Sequence, residues 1–314
     1  MSTAVIGLGL IGGSLLRALA AAGHDVVGYD ADPETREAAR AAGFRVAGTV
    51  PDAIRGAELT ALAVPLTVLP DVIAEMAGHD GLVTDVTSVK GPVRDLMKGF
   101  RFVGGHPMAG KETSGFAASD PGLFEGCTWA LCLEPHGTDL ADWLLLAGLF
   151  TSIGARVVPV TAAEHDTAVA QISHVPHLFA AVLATQLLAN PLAGTLAAGS
   201  FRDATRVAAT RPELTAAMCG GNWSAVHREL SRVIGDLQQL EEDLLLSDPV
   251  SGLSTYLALG SRVRRAWPPP PGATVTVAAD VQALLALGRA GGWVTSVNGT
   301  ELLGMRPETD LYLS

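Results

Sequence analysis

Three glycines near the start of the chain have the G-x-G-x-x-G spacing of a dinucleotide-binding turn. Gly7 permits a tight turn, Gly9 lets the backbone approach a pyrophosphate, and Gly12 lets the following helix pack against the strand. The amides at the N-terminus of that helix favour negatively charged phosphates. The spacing therefore predicts redox chemistry with a dinucleotide. The predicted contact residues are Gly7, Leu8, Gly9, Leu10, Ile11 and Gly12.

An acidic residue ends the second predicted strand, where it can reach the adenosine ribose. Asp30 follows Gly12 by 18 residues, and its carboxylate can accept hydrogen bonds from the ribose hydroxyls. The same negative charge would repel a 2′-phosphate, which favours NAD⁺ over NADP⁺. The glycine spacing alone also fits FAD. Val64, which ends the third predicted strand, is assigned to the cofactor site as well.

A histidine lies on a loop rich in glycine and proline, Gly104-Gly-His-Pro-Met-Ala-Gly-Lys-Glu-Thr-Ser-Gly115. Imidazole can accept a proton at neutral pH, so His106 is a candidate general base. A single histidine is more often an ordinary surface or core residue. The position after a predicted parallel strand favours the catalytic interpretation, because such a loop faces the cofactor cleft.

Candidate substrate groups occur in the second half of the chain. Ser173 and His177 have i, i+4 spacing on one predicted helix face, and Pro176 should kink that helix. Arg202 and Arg206 have the same spacing in a helix that Ser200 could cap. Planar guanidinium groups suit bidentate carboxylate binding. The alternatives are a core histidine with satisfied hydrogen bonds and two solvated arginines.

The order of predicted elements positions these residues in an α/β protein. Short β-branched runs alternate with helical patterns up to residue 160, which predicts a parallel, doubly wound sheet of Rossmann type. The capping-box pattern Thr161-Ala-Ala-Glu164 then opens an all-α domain, residues 161–266. A Pro-rich linker and a small β-α-β-β appendage make up residues 267–314. Residues 1–160 form the expected cofactor domain.

Composition excludes several classes of function. A formal charge of −11 disfavours binding to nucleic acid or to anionic membranes, so an anionic substrate needs local cations. The apolar run from Val175 to Ala189 contains a proline, a histidine and a glutamine, so no membrane span is expected. Three cysteines without a framework or zinc spacing indicate a reducing cytoplasm and no metal site.

Four blocks together resemble the signature set of prephenate and arogenate dehydrogenases. They are Asp85-Val-Thr-Ser-Val-Lys90, the His106 loop, Ser173-His-Val-Pro-His177 and Gly199-Ser-Phe-Arg-Asp-Ala-Thr-Arg206. The blocks occur in the family's order, and the resemblance covers about residues 1–245. It implies NAD⁺ as cofactor, oxidative decarboxylation of prephenate or arogenate on the tyrosine pathway, and a homodimer formed through the helical domains.

The resemblance also implies roles for individual residues. His106 matches the histidine that accepts the ring-hydroxyl proton, Ser88 the serine that holds it, and Glu112 an acidic residue at the entrance. In the helical domain, the match makes Ser173 and His177 pocket residues and Arg206 the carboxylate ligand. Gly199 and Arg202 match positions that reach in from a partner subunit. Lys90, Lys111 and His165 are expected to have no catalytic role, and the lysines to lie at the rim.

Three alternative functions remain open from the sequence. One is an amino-substituted analogue of the substrate, 4-amino-4-deoxyprephenate, in a specialised pathway. Another is a related Rossmann-plus-helical reductase that acts on imines or β-hydroxy acids without release of CO₂. The last is an NAD-sensing module without catalysis, which would predict a damaged site. The C-terminal segment does not resemble a regulatory amino-acid-binding domain, so feedback control by tyrosine is not expected.

Overall fold

The computed structural model describes residues 1–299 and 301–308, and it divides into two compact units. The first unit comprises Met1–His165 together with the described part of the C-terminal segment from Pro269. The second unit comprises Asp166–Pro268 and is helical. Each unit is described on its own below.

A parallel sheet forms the N-terminal half of the first unit, with strand order β3-β2-β1-β4-β5-β6 among the described residues. This is the order of a Rossmann fold, so the predicted fold class is confirmed. Every residue of β4 and β5 is buried, as expected for parallel strands covered on both faces. The strands are β1 (Ser2–Ile6), β2 (Asp25–Tyr29), β3 (Arg45–Val46), β4 (Leu59–Leu62), β5 (Leu82–Asp85) and β6 (Phe102–Val103).

Helices connect these strands, and their ends follow from local side chains. Asp32 caps one helix by accepting hydrogen bonds from the amides of Glu34 and Thr35, and Thr49 caps the next by accepting from Asp52. The helices are α1 (Leu10–Ala21), α2 (Pro33–Ala41), α3 (Val50–Ile54), α4 (Leu69–Glu75) and α5 (Gly91–Leu96).

After β6 the chain leaves the parallel sheet and starts a second one. Strands β7 (Gly105–Pro107) and β8 (Thr128–Cys132) pair antiparallel, and β8 pairs parallel with β9 (Arg156–Val160). Helix α6 (Leu140–Ser152) packs behind them, where Trp129 stacks on Phe150 with ring centroids 3.9 Å apart. The sequence predicted β8, β9 and α6, but it did not predict the division between two sheets. It placed His106 on a loop, whereas the structure places it in the short strand β7, which pairs with β8.

The helices predicted after residue 160 begin with α7, whose first residues belong to the first unit, and continue through the second unit. Thr161 and Glu164 form the predicted capping box, since each side chain accepts a hydrogen bond from the other residue's amide. A π-helical turn, Ala170–His174, interrupts the helical run ahead of Pro176. The helices are α7 (Ala162–Val169), α8 (Val175–Thr185), α9 (Pro191–Leu196), α10 (Gly199–Thr205), α11 (Pro212–Gly221), α12 (Trp223–Asp243) and α13 (Pro249–Ala266).

One helical run of this region could cross a membrane by length and composition alone. It extends over Ala162–Leu188, and 28% of its most apolar window is buried. A core helix of a soluble protein passes the same test, so the run by itself is weak support for a membrane span.

The C-terminal segment completes the second sheet. Strands β10 (Pro271–Val277), β11 (Trp293–Asn298) and β12 (Glu301–Pro307) extend it in the order β10-β12-β11-β9-β8-β7, with α14 (Val281–Arg289) between the first two in sequence. The predicted β-α-β-β pattern is present. The described part of this segment packs on the first unit, because β11 pairs with β9 and the leucines of α14 join that unit's core.

Candidate active site

The first and third glycines of the turn are required by the protein itself. Gly7 has a φ of +94°, and a Cβ added there would lie 2.4 Å from the carbonyl oxygen of Ala63. A Cβ on Gly12 would lie 1.8 Å from the carbonyl oxygen of Gly7. Both contacts are far shorter than van der Waals distance, so larger residues would displace β1 from α1 and from the end of β4.

The middle glycine faces open space. No protein atom lies within 4 Å of a Cβ built on Gly9, which is the N-cap of α1. No side chain caps α1, and its first turn carries no acidic residue, so the amides there are available to an anion. The turn therefore fits the pyrophosphate of NAD⁺ at the position that the spacing predicts. Leu10 and Ile11 are half-buried beside it, and Val64 lies at the Gly7 turn.

Asp30 ties the end of β2 to this turn. One carboxylate oxygen accepts a hydrogen bond from the Leu8 amide at 2.7 Å, and the other accepts from the Asp32 amide at 2.9 Å. Each carboxylate oxygen has a second lone pair, so the group keeps the capacity to accept from ribose hydroxyls. Leu8 contributes its amide, while its own side chain is fully buried in the core.

His106 is positioned by a second histidine. It is the middle residue of β7, and its Nδ1 lies 2.9 Å from Nε2 of His165 on α7. The two ring planes meet at 69°, an edge contact. His165 is 3% exposed, so it is held by the fold around it. The sequence assigned His165 no catalytic role, and the structure places its ring against the candidate base.

The contact restricts the protonation states of both rings. One nitrogen of a neutral pair must donate and the other must accept. If His106 acts as a base through Nε2, its Nδ1 carries the proton and donates to His165. The two residues are 59 positions apart in sequence, and Glu164-His165-Asp166 also reads as an ordinary helix start. No local signal in the sequence could have paired them.

The loop after β5 contains Ser88, which is half-buried. Its neighbour Lys90 does not lie at a rim: it is 1% exposed, with Nζ on the Asp85 carboxylate and 2.6 Å from the Gly105 carbonyl oxygen. The expectation for Lys90 is wrong because a buried carboxylate and a strand carbonyl together stabilise its charge. Lys111 is half-exposed and pairs with Asp120 at 2.8 Å, as a rim residue would.

Glu112 is exposed on the loop that follows β7. An exposed loop position is compatible with the entrance role that the resemblance implies.

Within the first unit, the fold brings the glycine turn to Asp30, and His106 to His165. The contacts of the Ser88 loop also reach the strand of His106, through Gly105.

In the helical unit, Ser173 and His177 are in contact. The Ser173 carbonyl oxygen lies 2.8 Å from Nδ1 of His177. A carbonyl only accepts, so Nδ1 carries a proton, and the neutral ring has its lone pair on Nε2. Both residues are half-buried, and Ser173 belongs to the π-helical turn. Such turns are frequent at functional sites, and this one ends two residues before Pro176.

Arg202 and Arg206 are exposed, and neither forms an ion pair with any residue that the structure describes. The predicted cap is wrong: Ala198 is the N-cap of α10, without a side-chain hydrogen bond, and Ser200 lies inside the helix. Gly199 is the first residue of α10. Arg206 opens a 3₁₀ turn after Thr205, whose φ of −111° departs from helical geometry, so regular i, i+4 spacing does not hold.

Comparison with known families matches each half of the chain to a family model. The model described as the nucleotide-binding domain of prephenate dehydrogenase matches residues 15–159. The model described as the prephenate dehydrogenase dimerization domain matches residues 161–258. The chain belongs to the prephenate dehydrogenase family. The family resemblance of the four sequence blocks is therefore confirmed, and the alternative of another Rossmann-plus-helical reductase is wrong.

Individual relatives agree with this membership. A cyclohexadienyl dehydrogenase from Zymomonas mobilis is 35% identical over 266 residues, which are 78% of this chain and 89% of that protein. The crystal structure of Synechocystis arogenate dehydrogenase is 29% identical, with a TM-score of 0.76, and the match covers 85% of this chain and all (100%) of that one.

A third relative was solved with ligands. The prephenate dehydrogenase of A. aeolicus, in complex with hydroxyphenyl propionate and NAD⁺, is 27% identical with a TM-score of 0.76, and the match covers 84% of this chain and 97% of that one. The predictions of an oxidoreductase and of NAD as its cofactor are confirmed for this member of the prephenate dehydrogenase family. The nucleotide-binding match starts at residue 15, so the roles of Gly7–Gly12 rest on their geometry.

Proposed function

We propose that the chain catalyses the NAD⁺-dependent oxidative decarboxylation of prephenate to 4-hydroxyphenylpyruvate, of arogenate to tyrosine, or of both. The observation that carries the proposal is the placement of His106. Its strand is held through Gly105 to Asp85, the last residue of β5, at the carboxyl edge of the parallel sheet. The glycine turn follows β1 at the same edge, where such sheets bind their ligands.

His106 is the general base of the proposed mechanism. Its Nε2 accepts the proton of the ring hydroxyl as the hydrogen on the same carbon leaves as hydride. His165 holds the ring at Nδ1 and stabilises the imidazolium that forms, because the charged ring is a stronger donor to His165. The hydroxyl oxygen becomes a carbonyl. Loss of the ring carboxylate as CO₂ then returns an electron pair to that oxygen and makes the ring aromatic.

The remaining residues bind and orient. NAD⁺, when bound, supplies the hydride acceptor. We assign its pyrophosphate to the amides around Gly9 and its adenosine ribose to Asp30. Ser88 is proposed to hold His106 from the loop after β5. Positioning of this kind lowers a barrier because the reacting atoms need no further ordering.

From the helical unit we propose that Arg206 binds a substrate carboxylate. An unpaired, exposed guanidinium in a protein of net charge −11 is a local cation that a dicarboxylate substrate requires. Ser173 and His177 are proposed to line the pocket, with Nε2 of His177 as acceptor in the neutral ring. Glu112 is proposed to lie at the entrance.

NADH formation, followed by absorbance with NAD⁺ and with prephenate or arogenate in separate assays, tests the reaction. We expect turnover of at least one substrate, with one CO₂ released per NADH. His106→Asn should lose at least about a hundredfold in kcat, the contribution of a positioned base. His136→Asn is the matched control, since His136 is an exposed histidine of the same unit. No turnover with either substrate would overturn the proposal.

We also propose a cytoplasmic homodimer formed through the helical unit. The matched model of this region is described as a dimerization domain. Large apolar side chains here are strongly exposed in the single chain, which supports burial against a second copy. They include Leu188, Leu192, Leu196, Trp223, Leu245 and Val250. Analytical ultracentrifugation should give a dimer, and a monomer at micromolar concentration would contradict it.

Gly199 and Arg202 are proposed to act in the partner subunit's site. Subunit complementation tests this: the Arg202→Met and His106→Asn variants are combined, unfolded and then refolded, so that mixed dimers form. If Arg202 acts across the interface, mixed dimers contain one intact site and regain activity. If it acts within its own chain, each site of the mixed dimer carries one of the two changes and no activity returns, which would contradict the assignment.

A further inference from the structure

A buried ion pair lies between the Ser88 loop and the strand of His106. Lys90 Nζ contacts the Asp85 carboxylate, and the two side chains are 1% and 0% exposed. Buried charges persist only where further hydrogen bonds satisfy them. Here the Thr87 amide donates to Asp85 at 3.0 Å, and Lys90 also donates to the Thr87 hydroxyl at 3.1 Å.

The pair lies where the chain passes from the first sheet to the second. β6 pairs with β5, and β7 pairs with β8. The residues that flank β7 bond to the two end residues of β8: the Gly104 carbonyl accepts from the Cys132 amide, and the Met108 amide donates to the Thr128 carbonyl. Because hydrogen bonding alternates along an antiparallel pair, the backbone polar groups of Gly105 point away from β8. Among the described residues, no strand pairs with Gly105 on that side.

Asp85 and Lys90 take the place of the missing strand. The Gly105 amide donates to Asp85 Oδ1 at 3.1 Å, and the Gly105 carbonyl accepts from Lys90 Nζ at 2.6 Å. The approach depends on glycine, because an added Cβ would lie 2.8 Å from the Asp85 carbonyl oxygen. One ion pair therefore fixes both backbone polar groups of the residue that precedes His106.

The same pair shapes the loop that contains Ser88. The Thr87 hydroxyl donates to the Asp85 carboxylate and lies 2.9 Å from the Val89 carbonyl oxygen. Ser88 thus lies between two residues, Thr87 and Val89, that these hydrogen bonds hold in place. The loop of Ser88 and the strand of His106 share a single anchor.

We propose that Asp85 and Lys90 are positioning residues for the reaction, which set the register between Ser88 and the His106 imidazole. This inference rests on the proposed function. Neither side chain touches substrate; both act through Gly105 and the loop. Misplacement of a catalytic group by about 1 Å can cost on the order of a hundredfold in rate, so the pair affects kcat rather than cofactor binding.

Two variants test the proposal in the full-length protein. Lys90→Met leaves Asp85 buried without its cation and can fail to fold. The double variant Asp85→Asn, Lys90→Met removes both charges and should fold, but it leaves the Gly105 carbonyl without its donor. For the double variant we expect an unchanged NAD⁺ dissociation constant, a lower melting temperature because the buried Gly105 carbonyl loses its donor, and kcat lower by about ten- to a hundredfold.

The matched control is another ion pair of the first unit. Arg101 makes a bidentate contact to the buried Asp142, and among the described residues its side chain forms no hydrogen bond with β7. Arg101→Met should lower the melting temperature and leave kcat unchanged. If the Asp85–Lys90 pair is merely structural, the double variant will show the wild-type kcat, which would overturn the proposal.

Nitrogen NMR of the histidine rings gives a readout that does not depend on turnover. If the pair sets the position of His106, its ring signals, and those of His165 bonded to it, should shift in the double variant and not in Arg101→Met. Unchanged ring signals would overturn the positioning role. A wild-type protein that turns over neither substrate would overturn only the proposed function, because the ring signals would still report on the pair.

Discussion

Nδ1 of His106 and Nε2 of His165 lie 2.9 Å apart, and this contact joins the proposed base on β7 to the first turns of α7. The contact gives His106 a defined ring orientation in a segment of only three strand residues. A histidine base that is held by a hydrogen-bond partner keeps its lone pair directed at the substrate. A histidine base that has no such partner samples other rotamers.

His165→Phe should lower kcat by about ten- to a hundredfold, which does not exceed the contribution of the positioned base that it orients. The Michaelis constant for NAD⁺ should stay near the wild-type value, because the role proposed for His165 is exerted through its contact with His106. Steady-state kinetics with NADH absorbance measures both. His165→Gln, whose amide can still meet His106, should recover part of the loss. Equal activity in the Phe variant would remove His165 from the mechanism.

Alanine at two positions of the glycine turn separates cofactor binding from folding. Gly12→Ala places a Cβ 1.8 Å from the Gly7 carbonyl oxygen, so it should destabilise the fold by about 3 kcal/mol or more. Gly9→Ala meets no protein atom and should keep the wild-type melting temperature. It should still weaken NAD⁺ binding by at least about tenfold, or 1.4 kcal/mol.

Thermal unfolding and NAD⁺ titration by tryptophan fluorescence measure the two effects. Gly23→Ala serves as a third variant, since that glycine has open space but a φ of +85° at the end of α1. It should cost stability without any change in NAD⁺ affinity. Normal NAD⁺ binding by Gly9→Ala would contradict the assignment of the pyrophosphate to this turn.

Asp30→Ala should shift the cofactor preference toward NADP⁺. The change removes the acceptor for the ribose hydroxyls and the charge that repels a 2′-phosphate. The guanidinium of Arg36 already lies at this end of β2, 2.7 Å from the Asp30 carbonyl oxygen, and can then attract the phosphate. We expect the kcat/KM for NAD⁺ to fall about tenfold or more, as for loss of hydrogen bonds to a charged group.

The control for this variant lies at the other end of the same strand. Asp25→Ala also removes one carboxylate from β2, but there Asp25 pairs with Arg45 on the surface. Its ratio of NAD⁺ to NADP⁺ activity should match wild type. A shift of equal size in both variants would mean that net charge, and not the ribose contact, sets the preference.

Low pH should reduce the stability that Glu164 contributes at the start of α7. Burial alone would raise the pKa of Glu164, but hydrogen bonds from the Thr161 amide and from Arg289 outweigh it and hold the pKa below the usual value. A carboxylate with a lowered folded-state pKa contributes stability above its unfolded pKa, near about 4.3, and loses it as the pH falls through the folded value.

Melting temperatures between neutral pH and about pH 3 measure this contribution. Glu164→Gln should melt below wild type at neutral pH, and the difference should shrink as the pH falls. Glu34→Gln, in the first turn of α2, is the control for removal of an exposed glutamate. A difference that stays constant with pH would show that the charge of Glu164 does not contribute.

The sequence by itself determined the features whose causes are local. The glycine spacing, the acidic end of β2 and the capping box at Thr161 and Glu164 each depend on residues close in the chain, and the structure contains all three. The order of strands and helices followed from periodicity, because side-chain alternation is set residue by residue. The family followed from four blocks read in order.

Tertiary structure decided the contacts between distant residues. His165 joined the site only because α7 brings it to β7, 59 residues from His106. Lys90 was expected at a rim, since a lysine is usually solvated, and only the fold supplies a carboxylate and a carbonyl that hold its charge in the interior. The transfer of the chain between sheets at Gly104 likewise has no local signal, because strand pairing depends on what each edge meets in space.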